Sequence, residues 1–246
     1  MLYICIPAYN EADTVGVLLW RIRKVFQEYS REYEIIVFND GSTDATAETL
    51  EPYGKVLPLT VLGGPERVGY NRALDALARA VSARTKYPRR DAMITLQADF
   101  TDQPEDLPEL IKRFEGGADL VVAERNVTPA TPQPIRRLRW IAGWAMRTGR
   151  SIPGVVDPFG AMRLYRITLI RDMLKEAGDN PIVEGLGWAA NLDFLRKAAP
   201  LARRMETVPL DARYDVRARE TRIRPWADGL ALFRVPRVPA TRKAGS

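Results

Sequence analysis

The chain of 246 residues contains no histidine and a single cysteine, Cys5. The absence of histidine excludes the histidine-based catalytic triads and every metal site or proton-transfer step that needs an imidazole. One cysteine cannot form a disulfide within the chain, so we expect a reducing compartment. No apolar run reaches the ~18 residues that a membrane-spanning helix needs. Because an apolar, strand-like segment begins at Leu2, we expect no signal peptide.

The formal net charge is +6, and the excess lies at one end of the chain. From residue 201 onward there are 11 lysines and arginines against 5 acids, so the preceding 200 residues are neutral overall. Such a segment favours an anionic partner, either phosphate groups, an anionic membrane face or nucleic acid, although a solvated tail is the simpler alternative. None of the known nucleic-acid-binding signatures occurs, so we expect no nucleic-acid partner.

Apolar runs alternate with segments of helical spacing through the first half of the chain. The runs predict five strands, at residues 2–6, 34–38, 56–62, 93–96 and 119–123. The intervening segments predict helices at residues 14–28, 45–50, 70–83 and 104–114. This alternation predicts an α/β protein with a doubly wound, mainly parallel sheet. Pro7 is expected to end the first strand.

The pattern changes after Ala123. We predict helices at residues 136–148, 167–177 and 184–198, and strands at residues 160–165 and 205–210. In the first of these helices, Trp140 and Trp144 lie four residues apart and share a face. With its several arginines, this helix fits either an element that lies in a membrane interface or an ordinary core-facing helix, and both interpretations stay open.

Polar side chains follow the fourth predicted strand directly, at Gln97, Asp99 and Asp102. A carboxylate at the end of a buried strand is costly unless it is compensated, and ligands bind at this end of parallel strands. One interpretation is a metal–diphosphate site in which Asp99, with Gln97 and Asp102, holds a divalent cation through oxygen ligands. The other is a strand that leads into a capped helix, with Asp102 as the cap before Pro104. The residue types alone fit both.

A second polar turn, residues 39–44, follows the second predicted strand. Gly41 permits a tight turn, and Ser42 or Thr43 can cap the next helix. The carboxylate of Asp40 can accept hydrogen bonds from a nucleotide base or ribose. Capping of the next helix is its structural alternative.

Several motifs occur in the order found in one enzyme family. Residues 6–11 (IPAYNE), 37–44 (VFNDGSTD) and 96–105 (LQADFTDQPE) resemble the first strand, the nucleotide-contacting turn and the Asp-x-Asp metal motif of the inverting family 2 glycosyltransferases. Residues 157–165 resemble the acceptor-side segment of the polyprenol-phosphate sugar synthases, the group of dolichol-phosphate mannose synthase. Residues 206–222 resemble the C-terminal strand and basic loop of that group.

The resemblance implies a GT-A-type nucleotide-binding fold with a C-terminal acceptor-side extension. It implies a single domain over residues 1–235, divided near residue 125 into a nucleotide-binding half and an acceptor half, and a flexible basic tail at residues 236–246. The implied reaction moves a sugar from a GDP- or UDP-linked donor to a polyprenyl or dolichyl phosphate, with Mg²⁺ or Mn²⁺ as cofactor. The enzyme would contact the membrane peripherally, on its cytoplasmic face.

The resemblance also implies site residues. Those implied to line the nucleotide pocket are Pro7, Tyr9, Glu11 and Asp40, with residues 67–71 near the base. Those implied to hold the metal are Asp99, Gln97 and Asp102. Those implied to contact the diphosphate or the acceptor are Asp157, Arg163, Arg213, Arg217, Arg219 and Arg222. We expect Arg163 and Arg217 to bind the acceptor phosphate, because a guanidinium binds phosphate through paired hydrogen bonds.

The chain departs from the family pattern at three places. Gln97 replaces the first acid of the metal motif, so metal ligation rests mainly on Asp99. Asn39 replaces the first aspartate of the nucleotide-contacting turn. Arginines stand where the basic loop of the family commonly has glycine and lysine. A catalytically impaired relative that still binds sugar nucleotides therefore stays an alternative.

The absence of histidine also bears on the acceptor. A phosphate is already anionic near neutral pH and can attack the sugar directly, whereas an alcohol needs a general base. We therefore expect a phosphate acceptor and a reaction without a protein base. Transfer to a hydroxyl group of a polysaccharide or small metabolite is the alternative, and Glu184 or Asp193 would then be the base. The structural interpretation of both acids is that they are surface residues of a helix.

Overall fold

The computed structural model describes residues 1–126, 131–147 and 151–211. The strands are Leu2–Ala8 (β1), Tyr33–Asp40 (β2), Leu59–Gly64 (β3), Ala92–Thr95 (β4), Leu120–Asn126 (β5), Arg163–Arg166 (β6) and Met205–Asp211 (β7). They form one sheet in the order β3-β2-β1-β4-β6-β5-β7. Only β6 runs antiparallel to its neighbours, β4 and β5. The predicted α/β class and mainly parallel sheet are confirmed.

Helices cover both faces of the sheet. They are Ala12–Glu28 (α1), Thr46–Leu50 (α2), Tyr70–Arg84 (α3), Leu107–Glu115 (α4), Gln133–Arg147 (α5), Ile167–Ala177 (α6) and Ala189–Ala198 (α7). Alternate residues of β1 point to opposite faces of the sheet. Tyr3 and Cys5 pack in the core beneath α3, α6 and α7, whereas Ile4 and Ile6 pack in the core beneath α1 and α4. A strand that is buried on both faces reads as a continuous apolar run, which is why the parallel strands were visible in the sequence. No helix within the described ranges has the length and apolar character needed to cross a membrane.

The first strand continues through Pro7 to Ala8, so the prediction that Pro7 ends it is wrong. Proline lacks the N–H group that a central strand normally donates. The carbonyl of Cys5 faces β4, where it accepts a hydrogen bond from the N–H of Leu96 (3.1 Å). Pro7, two residues on, presents its backbone to the same side, but the pairing with β4 has ended at Cys5. The missing N–H therefore costs no hydrogen bond of the sheet.

Several element boundaries differ from the sequence predictions. Strand β3 spans Leu59–Gly64 rather than residues 56–62, and β6 spans Arg163–Arg166 rather than residues 160–165. Gly63 packs closely against β2, since a Cβ there would lie 2.1 Å from the carbonyl oxygen of Asn39. Helix α7 begins at Ala189 rather than Glu184. The Asp193 carboxylate accepts hydrogen bonds from the N–H groups of Glu184 (2.8 Å) and Gly185 (3.2 Å), and these residues lie outside the helix.

Candidate active site

The six parallel strands end at one edge of the sheet, and the polar residues selected from the sequence lie along it. Asp40 closes β2, Asp99 follows β4 by four residues, and Arg125 lies one residue before the end of β5. The described chain also ends at this edge, at Asp211, which pairs with Asn126. In α/β proteins this is the edge where ligands bind.

Asp40 fixes the start of helix α3. Its carboxylate is 4% exposed and accepts hydrogen bonds from the N–H groups of Val68 (2.7 Å) and Gly69 (2.9 Å). Gly69, at the N-cap of α3, has a φ of 96°, which favours glycine. Capping of the next helix, α2, falls instead to Asp44, whose Oδ1 atom accepts the N–H of Thr46 (3.0 Å). The proposed capping of α2 by Asp40, Ser42 or Thr43 is therefore not observed.

Arg67 and Tyr9 lie against Asp40. The guanidinium carbon of Arg67 stands 3.8 Å from the centroid of the Tyr9 ring, a cation–π contact. The Nε atom of Arg67 lies 3.8 Å from the Oδ2 atom of Asp40. A flat aromatic surface, an exposed cation and a buried carboxylate thus meet at one place. These are the groups that the predicted nucleotide pocket requires.

The loop after β1 completes this part of the edge. Asn10, at a φ of 53°, accepts the N–H of Thr43 (2.8 Å) and so joins the turn that follows β2. Glu11 is buried, and its carboxylate accepts the hydroxyl of Thr14 (3.1 Å). Pro7 lies at the same edge, paired with Phe38 of β2. The structure therefore brings the four predicted nucleotide-pocket residues to one neighbourhood, while nucleotide binding itself stays a prediction.

Asp99 lies in a tight turn after β4. It is buried, and its Oδ1 atom accepts the N–H of Thr101 (3.1 Å). The intervening Phe100 has a φ of 60°, a left-handed conformation that costs a non-glycine residue about 1–2 kcal/mol. The Thr101 hydroxyl is buried without a hydrogen-bond partner among the described residues. Backbone strain and an unsatisfied polar atom beside a carboxylate are features of a ligand site.

Asp102 has a different environment, and its assignment as a metal ligand stays a prediction. One oxygen accepts the N–H of Gln97 (3.1 Å), and the other forms an ion pair with Arg125. Both side chains are buried, at 1% exposure for Asp102 and 8% for Arg125. Burial raises the pKa of Asp102 despite the favourable charge of Arg125. Both oxygens are thus engaged by protein donors, and the capping of the next helix by Asp102 is not observed.

A second ion pair, which is part-buried, adjoins the first. Arg139, on α5, donates from Nη2 to Asp157 (2.5 Å) and from Nη1 to the carbonyl oxygen of Arg125 (2.9 Å). Asp157 was predicted to contact substrate, but its carboxylate is the counter-ion of Arg139 and also accepts the N–H of Phe159 (3.3 Å). The sequence analysis missed both arginines. The position of Arg125, just past an apolar strand at the ligand-binding edge, was the signal available.

Arg163 lies beneath this cluster and is 1% exposed. Its guanidinium donates to the carbonyl oxygens of Asn191 and Pro158, the latter at 2.5 Å. An arginine that is enclosed in this way positions the backbone around it, while its Nε atom has no hydrogen-bond partner among the described residues. The expectation that Arg163 binds the acceptor phosphate stays a prediction.

The two acids considered as general bases have structural partners. Asp193 is buried, and besides its two backbone N–H donors it lies 3.5 Å from the ammonium group of Lys197. The side chain of Glu184 is largely exposed, 3.7 Å from the same ammonium group. Neither acid is therefore placed as an unengaged base. The interpretation of both as surface residues of a helix is not matched either, because Asp193 is buried and Glu184 precedes helix α7.

The metal prediction rests on Asp99. Among residues 1–126, 131–147 and 151–211, no three or more acids or cysteines are grouped so that they could hold an ion. A single carboxylate fits a metal whose remaining ligands come from a diphosphate and water, and the half-buried amide of Gln97 lies two residues away. The predicted phosphate-binding residues Arg213, Arg217, Arg219 and Arg222 lie outside the described residues, as does the Trp144 side chain.

Comparison with known sequences gives the relationship directly. The profile of "Glycosyl transferase family 2" matches residues 3–174. The undecaprenyl-phosphate 4-deoxy-4-formamido-L-arabinose transferase of Pseudomonas fluorescens is 31% identical over 175 residues, covering 70% of this chain and 48% of that protein. The enzyme of the same name from Edwardsiella ictaluri is 31% identical over 173 residues, covering 70% and 50%. The chain thus spans about half the length of these relatives.

Solved structures share the fold. Glucosyl-3-phosphoglycerate synthase from Mycobacterium tuberculosis, in complex with Mn²⁺, uridine diphosphate and phosphoglyceric acid, superposes with a TM-score of 0.65 at 19% identity, over 95% of this chain and 75% of that one. Staphylococcus aureus TarS 1–349 with UDP-GlcNAc gives a TM-score of 0.60 at 16% identity, over 90% and 60%. The architecture is therefore the GT-A fold, as the sequence predicted. By its family profile, its sheet and the motifs along its ligand-binding edge, the chain belongs to glycosyl transferase family 2.

Proposed function

We propose that this protein is an inverting glycosyltransferase that moves a sugar from a GDP- or UDP-linked donor to a polyprenyl phosphate. The observation that carries the proposal is the polar cluster at the carboxyl edge, where Asp99 lies beside the buried Arg125–Asp102 ion pair and the part-buried Arg139–Asp157 ion pair. The relatives named as undecaprenyl-phosphate sugar transferases support the same acceptor.

The donor nucleotide binds at the β1–β2 end of the edge. Tyr9 and Arg67 offer a stacked pair for the base, and Asp40 accepts hydrogen bonds from it or from the ribose. Pro7 and Glu11 line the adjoining part of the nucleotide pocket. Because Asp40 holds the backbone of Val68 and Gly69 as well, its role in binding is partly to position Arg67.

We expect Asp40→Ala to weaken nucleotide diphosphate binding at least tenfold. It should lower the melting temperature by only a few degrees, since a lost cap costs about 0.5–2 kcal/mol. Asp75→Ala is the matched control, because it removes another carboxylate that accepts a backbone N–H, that of Ile182 (2.8 Å), outside the proposed pocket. Calorimetric titration with UDP and GDP, with thermal melts of each variant, gives both quantities. Equal nucleotide affinity in both variants would reduce Asp40 to a structural role.

A divalent cation, Mg²⁺ or Mn²⁺, fits at Asp99, with the amide oxygen of Gln97 as a weaker ligand. When bound, it would supply positive charge to the diphosphate leaving group. The Mn²⁺ in the structurally similar M. tuberculosis synthase supports this choice of ion. Asp102 remains the partner of Arg125 and holds the backbone of Gln97 in place.

The acceptor phosphate binds on the β5–β7 side. Each buried carboxylate there has its own partner, Arg125 for Asp102 and Arg139 for Asp157, so a nucleophile that needs no base suits the site best. The arginine-rich residues 213–222 begin two residues after Asp211, which pairs with the end of β5. We therefore retain Arg213, Arg217, Arg219 and Arg222 as ligands of the acceptor phosphate or the diphosphate.

Helix α5 supplies the membrane contact. Trp140 is 78% exposed, and Arg136 and Arg137 on the same helix are exposed as well. Val156, in the loop joined to α5 through the Arg139–Asp157 pair, is 86% exposed. A tryptophan beside arginines suits the headgroup region of an anionic membrane, which supports a peripheral position on the cytoplasmic face.

Replacing Trp140 with alanine is expected to weaken binding to anionic lipid vesicles about five- to tenfold, because one buried tryptophan contributes a large part of the apolar area of a short interfacial helix. Sedimentation with vesicles that contain phosphatidylglycerol measures the effect. Trp20→Ala, at a 55% exposed tryptophan of α1, is the control and should bind as the unmodified protein does. Equal losses in both variants would show that binding is not specific to α5.

The activity is tested by a donor screen in which each of several UDP- and GDP-sugars is incubated with polyprenyl phosphate and Mn²⁺, with detection of lipid-linked sugar by mass spectrometry. The matched control replaces polyprenyl phosphate with the free polyprenol. A product on the phosphate alone supports the proposal. A product on the polyprenol or on a soluble alcohol would assign a hydroxyl acceptor instead, and nucleotide binding without any transfer would indicate a catalytically impaired relative.

A further inference from the structure

A chain of hydrogen bonds joins the nucleotide side of the edge to the acceptor side, and Tyr70 is its central member. We propose that the Tyr70 hydroxyl is a positioning group that transmits donor binding to the acceptor segment, residues 157–160. This inference rests on the proposed function, because it takes Asp40 and Arg67 as donor contacts.

The first step of this chain is the attachment of Tyr70 to the nucleotide pocket. Tyr70 is the first residue of α3 and follows Gly69 directly. The N–H groups of Val68 and Gly69 are both bound by Asp40, and the side chain of Arg67 rests on Tyr9. A nucleotide that orders Asp40 and Arg67 therefore also orders the backbone that carries Tyr70.

The second step crosses to helix α7. The hydroxyl of Tyr70 donates to the Oδ1 atom of Asn191 at 2.8 Å, across 121 residues of sequence. Burial and the nearby Asp102 raise the pKa of Tyr70, so the hydroxyl stays protonated and remains the donor. Asn191 is 3% exposed, so solvent has little access to the acceptor end of this bond.

The third step reaches the acceptor segment. The Nδ2 atom of Asn191 donates to the carbonyl oxygen of Phe159 at 3.1 Å. Arg163, which is bound to the carbonyl oxygen of Asn191, donates to the carbonyl oxygen of Pro158. Asn191 and Arg163 thus hold two successive peptide groups of the acceptor segment, and the hydroxyl of Tyr70 fixes the amide group of Asn191 from the other side.

Two functional consequences follow from this arrangement. The first is that the acceptor segment should be better ordered when a nucleotide is bound than when the pocket is empty. The second is that loss of the Tyr70 hydroxyl should weaken the acceptor interaction while leaving the donor contacts in place. Spatial continuity alone does not establish coupling, so the test must measure the effect of one site on the other.

The experiment compares the unmodified protein with Tyr70→Phe by hydrogen exchange, with and without UDP or GDP. In the unmodified protein we expect nucleotide to slow exchange both at residues 66–72 and at residues 157–162. In Tyr70→Phe we expect slowing at residues 66–72 only. Tyr29→Phe is the matched control, because it removes a tyrosine hydroxyl that bonds to Glu115 away from the site, and it should behave as the unmodified protein does.

Kinetics supply the second readout. Tyr70→Phe is expected to raise KM for polyprenyl phosphate about three- to tenfold, the usual effect of one neutral hydrogen bond, with KM for the nucleotide-sugar within about twofold. Equal nucleotide-dependent slowing at residues 157–162 in Tyr70→Phe, or none there in the unmodified protein, overturns the inference. If neither nucleotide slows hydrogen exchange at residues 66–72, the proposed donor site is contradicted, and the proposed function with it.

Discussion

Asp99→Asn is expected to lower sugar transfer about 10²–10³-fold, the usual effect of losing one charge-stabilising group at a reaction centre. The reason is that we propose Asp99 as the carboxylate that would hold a divalent cation, while Asp102 pairs with Arg125. The change is nearly isosteric, so the melting temperature should change little. Initial rates at saturating donor, measured over a range of Mn²⁺ concentrations, report the effect. The affinity for Mn²⁺ in the presence of UDP or GDP, followed by electron paramagnetic resonance, provides a readout that needs no turnover.

Two variants of neighbouring residues distinguish a loss of metal binding from a general disturbance of the site. Asp102→Asn should leave Mn²⁺ affinity within about threefold, because Asp102 is a partner of Arg125 and Gln97 rather than a ligand. Gln97→Asp restores the acid found in the family motif and should tighten Mn²⁺ binding or leave it unchanged. Full activity of the unmodified protein in EDTA would remove the metal from the reaction and leave the arginines to neutralise the diphosphate.

The strands could be predicted from the sequence because most are buried on both faces. β1, β2 and β4 appear as continuous apolar runs, and each was located to within two residues at either end. The position of β6 between β4 and β5 could not be read in the same way. Only four residues, Arg163–Arg166, form this strand, and two of them are arginines. Their apolar environment comes from neighbours distant in the sequence, which local patterning does not report.

The location of the site was predictable, but its internal partners were not. Polar residues that follow apolar strands indicated the carboxyl edge, and Asp40 and Asp99 do lie there. The choice of partner depends on contacts across long stretches of chain, such as Asp40 with the amide of Gly69, or Asp102 with Arg125. Arg163 illustrates the limit most clearly, since an arginine in a phosphate-binding motif suggests exposure to a ligand, whereas two backbone carbonyls enclose it here.

Arg125→Met should destabilise the protein by about 3–5 kcal/mol, the usual cost of leaving one member of a buried ion pair without its partner. For a chain of this size, a loss of that magnitude lowers the melting temperature by roughly 10 °C. The deficit should depend on pH in a defined direction. Burial already raises the pKa of Asp102, and removal of the Arg125 charge raises it further. A carboxyl whose pKa is higher in the folded protein favours folding when protonated, so the stability of Arg125→Met should fall as pH rises through this raised pKa. Chemical denaturation at a series of pH values measures the slope.

The double variant Arg125→Met/Asp102→Asn separates the contribution of Arg125 to stability from its contribution to sugar transfer. Asparagine keeps an oxygen that can accept the N–H of Gln97 but removes the buried charge, so most of the lost stability and the pH dependence should be recovered. If transfer then remains low in a protein that folds well, the charge of Arg125 acts on the substrates as well as on Asp102. If transfer recovers together with stability, Arg125 serves only to hold Asp102, and the charge that the acceptor phosphate needs must come from Arg139 or from the arginines beyond Asp211. A melting temperature of Arg125→Met within about one degree of the unmodified protein would contradict the buried pair itself, because an exposed pair contributes only about 0–1 kcal/mol.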